Sequence, residues 1–154
     1  MPNEMAFQDH YEEKYAHCFG CGRLNESGLK IKSYWDGEES VCRFTPAAYY
    51  TGGFPENLYG GLIASIIDCH AAGTASAANA RETGIDLATR GPNRFVTASL
   101  RVDFLKPTPM GVELEVRARV REMAGRRVWL DVTLGPGAEV TARGEVLMVQ
   151  IPER

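Results

Sequence analysis

The stretch Asn57-Leu58-Tyr59-Gly60-Gly61-Leu62-Ile63-Ala64-Ser65-Ile66-Ile67-Asp68-Cys69-His70 decides how this chain is read. A turn-like lead-in meets paired glycines, and an apolar helix carrying one carboxylate follows. Glycines at a helix start let another group approach the backbone, because no Cβ stands in the way. The first N–H groups of a helix have no partner inside it, and they sit at the positive end of its dipole. Such donors suit a carbonyl oxygen that gains negative charge during a reaction, a role valued at about 2.7–4 kcal/mol for one donor. Asp68 comes eight residues after Gly60, roughly 12 Å up the same rod. A lone acid among Ile67, Cys69 and alanines costs several kcal/mol to bury charged, so it must be paired, protonated or at an opening.

Outward from this element the pattern is helical to about Arg81, with Leu62, Ile63, Ile66 and Ile67 at three- and four-residue steps. A stripe of small residues, Ala64, Ala71, Ala72 and Ala75, lets another surface lie close beside Asp68. His70 projects about 200° from Asp68 around the helix and reads as a core or interface histidine. Before the helix, Leu29 to Trp35 alternates as a half-buried strand, Asp36-Gly37 signals a hairpin, and Glu39 to Thr45 returns. Ala47 to Pro55, with Tyr49, Tyr50, Gly52, Gly53 and Phe54, is an irregular lip ahead of the glycines.

After the helix and a polar loop from Ile85 to Asn93, strands are expected over Phe95–Lys106, Glu113–Arg121, Arg127–Leu134 and Val140–Ile151. In the second of these, Leu114, Val116, Ala118 and Val120 alternate with Glu115, Arg117, Arg119 and Arg121. That alternation requires a sheet with one wet face. The fold class is therefore α+β, with one long helix laid on a mainly antiparallel sheet. Residues 1–16 are expected as an arm or short helix and 17–154 as a single domain.

The 154 residues, 44% hydrophobic with a formal net charge of −3, fit a globular domain with its own core. Lys and Arg are scattered along strands, so nucleic acid is not expected as a partner. Met1 to Tyr15 has neither a positive nor an apolar signal region, and the apolar run from Leu62 to Ala78 is interrupted by Asp68 and His70. Neither secretion nor a membrane span is expected, and the location reads as cytoplasmic. His17, Cys18 and Cys21 stand close together, and Cys42 or His10 could complete a tetrahedral zinc site. A second CxxC pair is missing, so the motif reads as a turn with buried thiols and no metal.

Tyr59-Gly60-Gly61-x6-Asp68 resembles the His-Gly-Gly-x6-Asp signature of hotdog-fold acyl-CoA thioesterases of the phenylacetate-pathway type. Phe95 to Pro107 is similar to the strand that follows in that family, and Cys18-Phe19-Gly20-Cys21-Gly22-x2-Asn25-x2-Gly28-Leu29 to the N-terminal motif of one subgroup. The resemblance implies a hotdog fold, a homodimer or dimer of dimers with the site between subunits, and hydrolysis of an acyl-CoA thioester without a cofactor. It implies Asp68 as general base or nucleophile, Gly60 and Gly61 as oxyanion donors, and Thr97 as the hydroxyl that orients water from the partner subunit. It also implies a metal-free CxxC motif that walls the substrate end.

The sequence departs from the pattern at Tyr59, usually His, and at Gly53, where some relatives carry Asn or Gln; Asn57 is the available substitute. Tyr50 and Phe54 suit the acyl group, and Arg94, Arg101 and Lys106 are the candidates for coenzyme A phosphates. Two other readings share the fold. A non-catalytic acyl-thioester binder follows from the departures, and an acyl-thioester dehydratase or hydratase is disfavoured because Gly52 to Tyr59 holds no His.

Overall fold

The computed structural model describes residues 4–152. The start of the expected N-terminal arm, residues 1–3, lies outside the described residues. From Ala6 onward the segment packs into the domain. Two 3₁₀ turns, Phe7–His10 and Glu13–Tyr15, bury Ala6, Phe7, Gln8 and Tyr11.

Six strands follow, β1 (Tyr34–Asp36), β2 (Glu39–Phe44), β3 (Phe95–Phe104), β4 (Leu114–Ala124), β5 (Arg127–Gly135) and β6 (Ala142–Gln150), with helix α1 (Gly60–Thr83) between β2 and β3. They form one antiparallel sheet in the order β1-β2-β4-β5-β6-β3. This is the α+β hotdog arrangement expected, one long helix against one sheet. The helix stops where Gly84 takes a left-handed conformation, φ 75°, which glycine adopts without a Cβ penalty.

The expected first strand is shorter than its alternation suggested. Leu29, Ile31 and Ser33 are buried as predicted, but Lys30 has φ 55°. The N–H groups of Leu29 and Ile31 go to Phe19 and Gly20 carbonyls in place of a ladder. Period-two burial thus arises here from packing on a loop.

The core lies between α1 and the inner face of the sheet. Ile63, Ile66 and Ile67 meet Leu114, Val116, Leu130, Val132, Leu134, Val146 and Met148 in one buried cluster. Each such side chain contributes about 1.5–3 kcal/mol by leaving water. The helix comes closest at Gly144, where a Cβ would stand 2.6 Å from Ile67 Cγ2. The outer face carries ion pairs, among them Arg117 with Asp36 at 2.8 Å and Arg121 with Asp131.

β3 differs from the other long strands. It pairs only with β6, and after Phe95 none of its residues is buried. Val96, Leu100 and Phe104 are exposed at 41%, 37% and 56%. An apolar sheet edge of ten residues, open along its length, is a template for pairing with another chain. No described helix is long and apolar enough to cross a membrane.

Candidate active site

Asp68 sits half-buried on α1, its neighbours Ile67 and Cys69 both turned into the protein. Thr97 Oγ1 donates to Asp68 Oδ1 at 2.5 Å and also lies 3.6 Å from Met148 Sδ. The aim of Thr97 comes from a β-bulge. Thr97 is opposite Met148 and Ser99 opposite Leu147, so Ala98 is the extra residue on β3. The bulge leaves Thr97 and Leu100, opposite core residues Met148 and Val146, both on the helix side of the sheet. The carboxylate is therefore paired within its own chain, by the hydroxyl that the resemblance assigned to a partner.

At the start of α1, Tyr59 is the N-cap residue and 57% exposed. Its N–H goes to the Tyr50 carbonyl at 3.0 Å, and its own carbonyl accepts from Leu62 and Ile63. The N–H groups of Gly60 and Gly61 have no acceptor among the described residues. Both glycines have close side-chain neighbours. A Cβ on Gly60 would meet the Phe104 ring at 3.3 Å, and one on Gly61 the Tyr59 ring at 2.4 Å. The Tyr59 ring thus lies beside Gly61. Phe104, which sequence reasoning placed only as a strand residue, lines them from β3. Its role depends on strand register, for which the sequence holds no local signal.

Asn57 is half-buried in a bridge with Pro109, and its backbone bonds Gly52 and Phe54. The lip holds Tyr50 against Tyr49, ring centroids 4.7 Å apart, and leaves Phe54 67% exposed. These residues, with Tyr59 and Gly60, gather at one end of α1.

The three cations do not gather. Arg94 stands over Tyr11 and Tyr15, 5.4 Å from each ring centroid. It precedes β3, roughly 30 Å from Phe104 at about 3.3 Å per residue. Arg101 lies on the outer face beside Asp103 at 3.5 Å. Lys106 pairs with Glu139 at 2.7 Å. Within one chain they cannot hold one set of phosphates.

His70, fully buried, is a structural group. Ser33 N–H donates to Gln8 Oε1, which turns Gln8 Nε2 toward Ser33 Oγ at 2.9 Å. The Ser33 hydroxyl then donates to His70 Nδ1 at 2.8 Å, and His70 Nε2–H donates to Ser40 Oγ at 3.0 Å. The Ser40 hydroxyl donates to Thr74 Oγ1, and Thr74 donates to the His70 carbonyl at 2.7 Å. The series is consistent with a neutral imidazole, and burial lowers its pKa to about 4.

The CxxC turn meets α1. Cys18, Cys21 and Cys69 present sulfurs that all lie within 4.8 Å of one another. Cys69, a helix residue in the sequence reading, takes the place considered for Cys42 or His10. Cys42 is buried on β2, where burial pushes its thiol up to about 11.

Comparison with known proteins gives the family. The family model of the thioesterase superfamily matches residues 56–135. A thioesterase superfamily protein from Shewanella loihica is 40% identical and has a TM-score of 0.70, the match covering 92% of this chain and all of that one. The Escherichia coli PaaI protein from the phenylacetic acid degradation operon is 20% identical, with TM-score 0.65 over 80% of this chain and 81% of that one. Mouse thioesterase superfamily member 2 is 17% identical, with TM-score 0.59 over 79% of this chain and 83% of that one. These last two share the fold. No curated protein matches the chain. Since the family model spans just over half of the chain, through Asn57, the glycines, Asp68, Thr97, β4 and β5, the protein belongs to the thioesterase superfamily.

Proposed function

We propose that this protein hydrolyses an acyl-CoA thioester in a site shared by two copies of the chain, in the manner of the phenylacetate-pathway type. Membership of the superfamily supports thioester hydrolysis in general. The carboxylate of Asp68, paired with Thr97 at 2.5 Å, is the observation that carries the reading. Thr97 occupies Oδ1, and Oδ2 is the oxygen left to take a proton from water. That water attacks the thioester carbonyl, the carbonyl oxygen becomes negative, the C–S bond breaks, and the sulfur leaves as a thiol with the proton.

The oxyanion donors come from the second copy. Gly60 and Asp68 of one chain are separated by about 12 Å of helix, too far for both to touch one carbonyl. The open edge of β3 supports a solution. Antiparallel pairing of two β3 strands centred on Arg101, with Ala98 passed over as the bulge, sets Thr97 opposite Phe104 of the partner subunit. Because Phe104 packs on Gly60 within its own chain, this brings Asp68 toward the partner subunit's Gly60 and its free N–H. The same pairing brings Arg94 near the partner subunit's Lys106, while Arg101 stays at the centre of the pair on the outer face. A cytoplasmic location and a homodimer or dimer of dimers belong to this reading.

The test is thiol release from short, long and aryl acyl-CoAs by the wild type beside Asp68→Asn. A loss of about a hundredfold or more in the folded variant supports the proposal. Thermal stabilisation by the same ligands without thiol release replaces it by the non-catalytic binder. That second reading is favoured by Gly53, exposed and without a side chain to hold a carbonyl.

A further inference from the structure

We propose that Cys18, Cys21 and Cys69 form a zinc site that clamps the N-terminal CxxC turn onto α1 one residue from Asp68. Tetrahedral zinc with thiolates at about 2.3 Å sets its sulfurs about 3.8 Å apart. Cys18 Sγ and Cys69 Sγ are 3.8 Å apart, and Cys21 Sγ completes a group spanning no more than 4.8 Å.

The turn fixes the place of the Cys18 sulfur, to which the Gly20 N–H donates at 3.3 Å. Gly22 lacks room for a side chain, since a Cβ there would stand 2.5 Å from the Ala16 carbonyl oxygen. At Gly20 a Cβ would stand 2.1 Å from Cys69 Sγ. The absent side chain is the space through which the helix cysteine reaches the turn.

Tyr11 lies in the same buried core cluster as Cys21 and Cys69, with no geometric hydrogen bond to its Oη among the described residues. Arg94 stands beside this cluster, 5.4 Å from the Tyr11 ring centroid. Its charge offsets the single negative charge of zinc with three thiolates. Cys18 is half-buried, so the fourth position faces solvent and takes a water. A closed set of protein ligands and an open one differ in this respect. The site does not rest on the hydrolytic reading, and its test does not use turnover.

The full chain, reduced and freed of metal with a chelator, is titrated with Co2+ and then Zn2+. The expected result is a thiolate-to-cobalt charge-transfer band with tetrahedral ligand-field absorption, and a single zinc per chain by native mass spectrometry. Cys18→Ser and Cys69→Ser are expected to lose both signals, and Cys42→Ser to keep them. The wild-type spectrum does not depend on any variant folding. Absence of cobalt absorption in the reduced wild type overturns the proposal, as does metal uptake that survives Cys18→Ser. A Cys18–Cys69 disulfide formed in place of metal uptake also overturns it.

Discussion

Thr97 on the edge strand gives its hydroxyl proton to Asp68 on the central helix, 29 positions earlier in the chain. The bond ties the acid to β3, the strand that a second copy would cover. Replacement of Asp68 by Asn is expected to lower turnover by about 10²–10⁴-fold with the fold intact. Thr97→Val removes only the positioning bond, and a loss of about tenfold is expected, the lower end for a hydrogen bond to a charged group. Steady-state thiol release with circular dichroism checks both, and an unchanged rate in Asp68→Asn sinks the assignment.

Gly60 carries a free N–H and has the Phe104 ring 3.3 Å from where a Cβ would be. Gly60→Ala is expected to reduce turnover by at least about tenfold by obstructing approach to the donors. Stability should change little, since alanine favours a helix by about 1 kcal/mol and the Phe104 contact opposes it. Equal turnover in the alanine variant, measured at saturating substrate, would remove these N–H groups from the mechanism.

Gly144 is where the sheet admits the helix, its missing Cβ replaced by Ile67 Cγ2. Gly144→Ala is expected to cost about 1–3 kcal/mol by overpacking. In the Ile67→Ala background the same change should cost much less, because the opposing methyl is gone. Urea unfolding of the four proteins in the cycle gives the coupling.

His70 is neutral, and burial depresses its pKa from 6.5 to about 4. Between these values the unfolded chain binds a proton that the folded chain does not, so stability rises with pH there. Its contribution is fully present above pH 6.5 and is lost as pH falls through about 4, to a total near 3 kcal/mol. Denaturation midpoints from pH 7 to pH 4 should fall more steeply for the wild type than for His70→Gln; parallel slopes would count against a buried neutral imidazole.

The β3 edge exposes Leu100 on the helix side of the sheet. Leu100→Lys is expected to give a monomer by light scattering and to abolish thiol release together with association. A variant that stays associated, or a monomer that turns over normally, would separate the site from the interface.

Much of this could be read from the chain. Strand alternation in Glu113 to Arg121 and the three- and four-residue apolar steps after Gly60 are local signals, because side-chain direction in a strand or helix follows from backbone geometry alone. They determined one helix, an antiparallel sheet with a wet face, and the placement of Gly60, Gly61 and Asp68 on one rod. The Leu29 to Ser33 segment shows the limit of such signals, since its buried alternation belongs to a loop in which Lys30 has a left-handed backbone.

The tertiary structure alone decided which of these groups meet. Thr97 reaches Asp68 because Ala98 bulges from β3, and Phe104 covers Gly60 because of the register of that strand. Cys69 joins Cys21 and, across 51 positions, Cys18 because Gly20 leaves it room. Arg94, Arg101 and Lys106, neighbours in sequence, are dispersed because an extended strand sets its residues about 3.3 Å apart and points them to opposite faces. Sequence patterns fix where a side chain points relative to its own backbone. Contacts between distant segments depend on strand register and on the approach of helix to sheet, which only the packed core sets.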